Sequence, residues 1–422
     1  MDLSQWLEYI QRQHPESIEL GLDRVREVAT RLGLGRPAAQ VITVAGTNGK
    51  GSTVAFIEAI AGAGGWKVGA YTSPHLLRYN ERVRIEAEEV ADDALVAAFA
   101  VVEAARGDTP LTYFEFGTLA ALWLFQRASL DLVVLEVGLG GRLDAVNLVD
   151  ADVAVVTTVD IDHTGWLGSD RESIGREKAG IARAWKPLVL GEVDPPSSVL
   201  RHAYAIGANA IRLGSDFFHE PVDAAHWRWR EVGAELRLPA PRLAAPPQRA
   251  NASTAIAALR ALPRALPEAA FAQGVATATL PGRLQCLQRD GVEIVLDVAH
   301  NPQAARELAA WLRRRSPAPT VAVFAALADK DAAAMVQALD GQVGHWYLAG
   351  LEQAGRGQDV DSLAARLAGT VAGVATGVSS GDARVADALD RAIAAASPAG
   401  RVLVFGSFHT VAEALQALRS GH

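Results

Sequence analysis

The segment Val41-Ile42-Thr43-Val44-Ala45-Gly46-Thr47-Asn48-Gly49-Lys50-Gly51-Ser52-Thr53 constrains this chain more than any other. An apolar, β-branched run stops at a glycine turn, and a helical pattern begins directly after it. Glycines let backbone N–H groups approach an anion, a helix N-terminus adds partial positive charge, and Lys50 adds a full one. Those are the needs of a bound triphosphate. Ser52 or Thr53 can offer an oxygen to Mg²⁺. The usual P-loop spacing asks for glycine at position 44 and a hydroxyl at 51, where Val44 and Gly51 stand. A strand-to-helix turn with no ligand therefore stays open at this point.

Similar alternations run through the chain. Strands are expected at Gln40–Ala45, Lys67–Tyr71, Leu132–Val137, Val153–Val159 and Pro187–Gly191, then at Glu293–Asp297, Thr320–Ala325, His345–Ala349 and Val402–Gly406. Runs such as Leu132-Val133-Val134-Leu135 are continuously apolar, the mark of strands buried on both faces of a mainly parallel sheet. A helix over Thr53–Ala63 should stop at Gly64-Gly65, and the alanine-rich Ala250–Ala261 also reads as a helix. Phe217–Pro247, with Trp227, Trp229 and several prolines, reads as a short β excursion at the edge of the first domain. A chain of 422 residues is too long for one ordinary core. The expected fold is α/β: a P-loop parallel-sheet ATPase domain over 1–285, plus a smaller Rossmann-like α/β C-terminal domain over 286–422.

The net charge of −8 argues against nucleic acid as a partner, so an anionic ligand must be held by local basic residues and helix ends. One cysteine, Cys286, excludes an internal disulfide framework and fits a reducing compartment; it reads as a buried small residue rather than a nucleophile. The first ten residues lack the basic start and long apolar core of a signal peptide, and Trp6, Leu7 and Ile10 fit one helix face. No run reaches the roughly 18 apolar residues that span a bilayer. A cytoplasmic protein with no membrane partner is expected.

Ligands of open parallel sheets bind at the carboxyl ends of the strands. Those ends carry Thr72-Ser73-Pro74-His75, then Glu136 followed by Gly138-Leu139-Gly140-Gly141-Arg142-Leu143-Asp144, then Asp160-Ile161-Asp162-His163. Ser73, Glu136 and His163 can together hold Mg²⁺, although magnesium prefers oxygen ligands. A plain ion pair with Arg142 accounts for Glu136 in another way, and a hydrogen-bonded histidine for His163. Gly138–Gly141 is not a dinucleotide fingerprint, since its spacing differs and Glu136 would repel a pyrophosphate. Lys178 reads first as a surface charge or an ion pair with a neighbouring carboxylate. Asp297, in Asp297-Val298-Ala299-His300-Asn301-Pro302, suits either a ribose contact or an Asx turn. Asp329-Lys330-Asp331 reads as a solvated turn.

Taken together, Ile18–Leu22, Ala45–Thr53, Thr72–Leu76, Glu81–Arg84, Leu111–Glu115, Glu136–Ala145, Asp162-His163, Glu177–Ile181, Pro281–Arg283, Asp297–Pro302 and Gly406–His409 carry a resemblance. They resemble the bacterial folylpolyglutamate synthase family, in particular its bifunctional dihydrofolate synthase members, among the Mur-ligase-like ATP-dependent amide ligases. In that family glycine follows the P-loop lysine, so Gly51 no longer counts against phosphate binding. The resemblance implies that Thr47, Asn48, Gly49, Lys50, Gly51 and Ser52 hold ATP phosphates, with Ser52 facing a first Mg²⁺. It implies Ser73, Glu136 and His163 around a second Mg²⁺, beside a carbamylated Lys178. Asn251, Arg283 and Asp297 match nucleotide contacts, and His300 a residue that places glutamate. Ile18, Glu19, Leu20, Thr112, Tyr113, Phe114, Glu115, Leu143, Asp144 and Ala145 match the wall of a dihydropteroate site. Lys50, Lys178 and His300 would then be the catalytic set.

The implied reaction activates a carboxylate with ATP as an acyl phosphate and joins L-glutamate to dihydropteroate or to reduced folates, in a monomeric enzyme. A monofunctional folylpolyglutamate synthase, a cell-wall Mur ligase and a nucleotide switch without ligase activity are the rivals. Pairing of Ile18–Leu20 with Thr112–Glu115 favours the bifunctional reading.

Overall fold

The computed structural model describes residues 1–14, 16, 18–243, 245–351, 356–370 and 382–420. Contacts divide the chain into two compact units, one of residues 1–242 with 248–279 and one of residues 243–247 with 280–422.

The first unit is built on β1 (Ala38–Ala45), β2 (Val68–Tyr71), β3 (Val83–Ile85), β4 (Glu88–Glu89), β5 (Leu130–Glu136), β6 (Val153–Val156), β7 (Pro187–Leu190) and β8 (Asn209–Arg212). Their order in the sheet is β4-β3-β2-β5-β1-β6-β7-β8. From β2 to β8 the sheet is parallel throughout, and β3 and β4 add an antiparallel edge. Leu132, Val133, Val134 and Leu135 of β5 are all fully buried, as their unbroken apolar run predicts. Burial on that scale is worth about 1.5–3 kcal/mol for each such side chain. Helix Lys50–Ala63 starts three residues earlier than expected, because Gly49 takes a left-handed φ of 88° and lets the turn enter the helix at once. It stops at Ala63, with Gly64 as its C-cap.

The Phe217–Pro247 excursion is a small antiparallel sheet of β9 (Phe217–Pro221), β10 (His226–Glu231) and β11 (Ala234–Pro239). Period-2 alternation along His226–Glu231 turns Trp227 and Trp229 inward and leaves Arg228 facing Glu220 at 2.9 Å. The Trp229 indole N–H donates to the Ser253 carbonyl at 3.2 Å, docking this sheet on helix Gln248–Arg260.

The second unit holds β12 (Gln285–Arg289), β13 (Val292–Leu296), β14 (Thr320–Phe324), β15 (His345–Leu348) and β16 (Arg401–Phe405), in the order β12-β13-β16-β14-β15. Only β12 is antiparallel. Two expectations fail in this unit. Cys286 is exposed, because β12 is an edge strand whose alternation turns it away from the core. Lys330 is buried rather than solvated. Asp331 caps helix Ala332–Gln337 through the Ala334 N–H, which draws the turn in, and the Lys330 carbonyl accepts from Arg366. Among the described residues no helix is long and apolar enough to cross a membrane.

Candidate active site

The register of the first sheet sets the site. Val44 of β1 lies opposite Glu136 of β5, so the glycine turn leaves the sheet beside the carboxylate that ends the neighbouring strand. Gly46 has a φ of 152°, and a Cβ there would stand 1.9 Å from Thr157 Oγ1. A Cβ on Gly49 would stand 2.6 Å from Asn251 Oδ1. The turn is fastened to the segment after β6. Thr47 N–H donates to the Thr158 carbonyl at 2.7 Å, and Thr47 Oγ1 donates to the Asp160 carbonyl at 3.0 Å. Thr157 Oγ1 donates to the Asn48 carbonyl at 2.6 Å, and Asn48 N–H donates to Thr158 Oγ1 at 3.1 Å.

Strand pairing in β6 therefore ends at Val156 rather than Val159, because Thr157, Thr158 and Asp160 spend polar groups on the turn and the Val159 N–H goes to Glu192. Lys50 Nζ folds back on the carbonyls of Gly46 and Thr47 at 3.1 and 3.4 Å. Gly51 continues the helix, and the buried Ser52 hydroxyl accepts from Gln248 Nε2 at 3.2 Å. Gln248 Oε1 in turn accepts from Asn251 Nδ2 at 3.1 Å. Asn251 thus reaches the turn, and Gln248, a residue without a sequence signal, joins it to Ser52.

Glu136 is 4% exposed, and its Oε2 accepts from Ser73 N–H at 3.2 Å. Arg142, the plain partner weighed for Glu136, is taken up by Glu177 at 3.0 Å. His163 has a left-handed φ of 51° at the start of helix Thr164–Leu167, and its N–H donates to Asp162 Oδ1 at 2.8 Å. Lys178, on helix Arg171–Ala179, is buried and not a surface charge. Burial, and next the positive charge of Lys50, pull its amine down to about 7, against the opposing pull of Asp162 and Asp144. Loop 138–144 lies on that helix: Arg142 N–H donates to the Glu177 carbonyl at 2.8 Å. A Cβ on Gly141 would meet the same carbonyl at 2.9 Å.

Asp144 closes this loop by accepting from Gly138, Leu139 and Val146 N–H groups at 3.0, 2.9 and 3.1 Å. Burial raises its carboxyl to about 7 in spite of those bonds. Ala145 is buried beside it and Leu143 is half-buried.

Ile18–Leu20 and Thr112–Glu115 are brought together by Arg24, which the sequence reading passed over. Its guanidinium donates to Glu115 Oε2 at 2.9 Å and to the Glu19 carbonyl at 2.7 Å, and pairs with the Glu19 carboxylate. Glu115 also closes a capping box with Thr112, whose N–H donates to Glu115 Oε2 at 2.8 Å. Ile18 and Leu20 are half-buried and Glu19 is exposed. The Phe114 ring packs where a Gly138 Cβ would lie, 2.8 Å away, and sits 5.8 Å from the Tyr71 ring. Tyr113 meets Tyr79 edge-on at 5.8 Å.

In the second unit, Asp297 ends the β13 run and accepts from Leu284 and Ala299 N–H groups at 2.9 and 2.8 Å. Burial raises its carboxyl. His300 Nδ1 lies 2.9 Å from the Val298 carbonyl, and its ring packs 5.9 Å from Phe408. Arg283 stacks over the same Phe408 ring at 5.4 Å. Arg283, Asp297 and His300 thus share one end of this sheet.

Among the described residues no three His, Cys, Asp or Glu side chains gather closely enough to hold a metal ion alone. The donors in the first unit are one buried carboxylate, hydroxyls and a histidine. Such a set fits a divalent ion whose remaining ligands come from phosphates, water or a modified lysine.

Two family profiles match the chain: the Mur ligase middle domain over residues 44–229, and the Mur ligase glutamate ligase domain over residues 282–408. A dihydrofolate synthase/folylpolyglutamate synthase of Escherichia coli is 48% identical, over 99% of this chain and 97% of that protein. Its Haemophilus influenzae counterpart is 41% identical, over 97% and 96%. A solved structure of E. coli FolC in complex with DHPP and ADP superposes with a TM-score of 0.92 at 46% identity, covering 100% of this chain and 98% of that one. A bifunctional folylpolyglutamate synthase/dihydrofolate synthase with Mn, AMPPNP and L-glutamate bound gives 0.90 at 46% identity, covering 99% and 98%.

Proposed function

This chain belongs to the bifunctional dihydrofolate synthase/folylpolyglutamate synthase family of Mur-type ligases, and from that premise we propose how its residues divide the reaction. The protein is an ATP-dependent ligase that joins L-glutamate to dihydropteroate, giving dihydrofolate, and to the γ-carboxylate of reduced folates. A carboxylate is a poor acyl donor because oxide is a poor leaving group. Transfer of the γ-phosphoryl of ATP to it makes an acyl phosphate. The amine of glutamate then attacks the carbonyl carbon, the amide forms and phosphate leaves.

The observation that carries the assignment of roles is the pairing of Val44 with Glu136, which sets the phosphate turn beside a buried carboxylate. Thr47, Asn48, Gly49, Lys50 and Gly51 cradle the phosphates, and Lys50 exchanges the carbonyls of its own turn for phosphate oxygens. Ser52 faces one Mg²⁺; Ser73, Glu136, His163 and a carbamylated Lys178 hold a second. The metal would neutralise charge on the transferred phosphoryl group. Asn251, Arg283 and Asp297 contact the nucleotide, and His300 helps to place glutamate. Ile18, Glu19, Leu20, Thr112, Tyr113, Phe114, Glu115, Leu143, Asp144 and Ala145 form the pterin wall, with Asp144 acting chiefly to shape its loop. Residues 1–285 serve ATP and the acceptor, and residues 286–422 serve glutamate and, through Asp297, the nucleotide, in a cytoplasmic monomer.

Mass spectrometry of products made from ATP, L-glutamate and either dihydropteroate or tetrahydrofolate tests the reading. Dihydrofolate and tetrahydrofolyl-diglutamate are expected. ATP hydrolysis that ignores both acceptors would sink it.

A further inference from the structure

We propose that Arg82 is the cation that seats a carboxylate of the acceptor substrate, a role that rests on the ligase reading above. Arg82 ends the short turn Tyr79–Arg82 and is only 9% exposed. Its Nε donates to His75 Nδ1 at 2.8 Å, and its guanidinium lies 5.3 Å and 5.5 Å from the ring centres of Tyr79 and Tyr113. Among the described residues that histidine bond is the only one its side chain donates, and no carboxylate pairs with it.

Two residues on, Arg84 is fully engaged. It donates to Glu58 Oε2 at 2.8 Å, to Thr72 Oγ1 at 3.1 Å and to the Glu81 carbonyl at 2.8 Å. The contrast is informative. A buried guanidinium without an anion costs free energy that stacking on two phenol rings offsets only in part. Such a group is retained where a ligand brings the anion, and the planar fork of arginine suits a carboxylate.

The location agrees. Its two unbonded terminal nitrogens are not fully closed off from solvent. Tyr113, under the guanidinium, belongs to the proposed pterin wall. The Arg82 carbonyl accepts from Thr72 N–H at 2.9 Å, immediately before Ser73, whose own N–H reaches Glu136. Arg82 is therefore fastened between the ring-binding wall and the carboxylate end of the acceptor site.

Two carboxylates can fill this place: the one that is activated, present in every acceptor, or the α-carboxylate of the folate glutamate, which dihydropteroate lacks. Full-length Arg82→Met, which keeps the packing on the rings without the charge, and Arg82→Lys should be assayed with each acceptor beside the wild type. Acceptor KM should rise about tenfold or more in Arg82→Met and less in Arg82→Lys, with KM for ATP within about twofold and the thermal midpoint unchanged or raised. A rise for both acceptors assigns the activated carboxylate, and a rise for tetrahydrofolate alone assigns the α-carboxylate. An unchanged acceptor KM overturns the proposal, as does a lowered midpoint with equal losses for ATP and acceptor. If Arg82→Met does not fold, the same comparison in Arg82→Lys decides. A wild type that turns over neither acceptor would refute the ligase reading instead.

Discussion

Lys178 lies in the field of Lys50. Burial is the first cause that brings its amine down to about 7, and the charge of Lys50 is the second. Near neutral pH a large share of this amine is unprotonated, and an unprotonated amine is the form that adds CO₂ to become a carbamate. The proposed modification would convert a cation that burial disfavours into an anion able to join the proposed metal ligands.

Activity should therefore depend on CO₂. Enzyme exchanged into CO₂-free buffer should lose turnover and regain it when bicarbonate is added. Lys178→Ala should be inactive, with partial recovery in a short-chain carboxylic acid. Equal activity with and without bicarbonate, with an unmodified Lys178 by intact-mass measurement, would count against the carbamate.

The same depressed amine makes a stability prediction. The unfolded lysine titrates near its ordinary 10.5 and the folded one near 7, so between those values the unfolded chain binds more protons. In CO₂-free buffer the contribution of Lys178 to stability should rise with pH across that window. Thermal midpoints of wild type and Lys178→Met should show the variant's advantage shrinking from pH 7 to about pH 10.

Glu136→Gln keeps the shape of the strand end and removes a buried charge. The thermal midpoint should stay the same or rise, while turnover falls on the order of 10²-fold or more, even at saturating Mg²⁺. Near wild-type turnover would remove Glu136 from the metal set.

Arg24→Ala should leave Glu115 buried without its cation and release Glu19 from Thr112–Glu115. A loss of about 3 kcal/mol in denaturant unfolding is expected. KM for dihydropteroate should rise more than KM for ATP. An equal rise in both would make Arg24 a purely structural clamp.

Gly46→Ala sets a methyl group against Thr157 Oγ1, at a backbone angle that side chains avoid. ATP binding should fall, by calorimetry, far more than in Gly62→Ala, where a Cβ meets nothing within 4 Å.

The sheet was readable because its strands are continuously apolar: all nine expected strands are present, most within one or two residues of the expected ends. The carboxyl-edge rule could be applied to Ser73, Glu136 and Asp162-His163 because the strands that lead to them are where they were expected. What the sequence hid was the work of polar residues at long range. Thr157 and Thr158 read as more of a strand, yet they hold the glycine turn. Arg24 carries no motif of its own, and its role depends on a glutamate 91 positions away. Lys178 looked exposed because a lone lysine carries no sign of its burial. Cys286 was misjudged because hydrophobicity says nothing about which strand lies at an edge.

The bonds from Thr47 to Thr158 and Asp160 have one more consequence. The backbone proposed to grip phosphate and the segment leading to His163 are laced into one mechanical piece. Nucleotide and divalent ion should thus be thermodynamically linked: whatever factor one adds to the affinity of the other is returned in equal measure. Cutting the lacing at Thr47 or Thr158 would weaken that reciprocity before it weakened either ligand's own contacts.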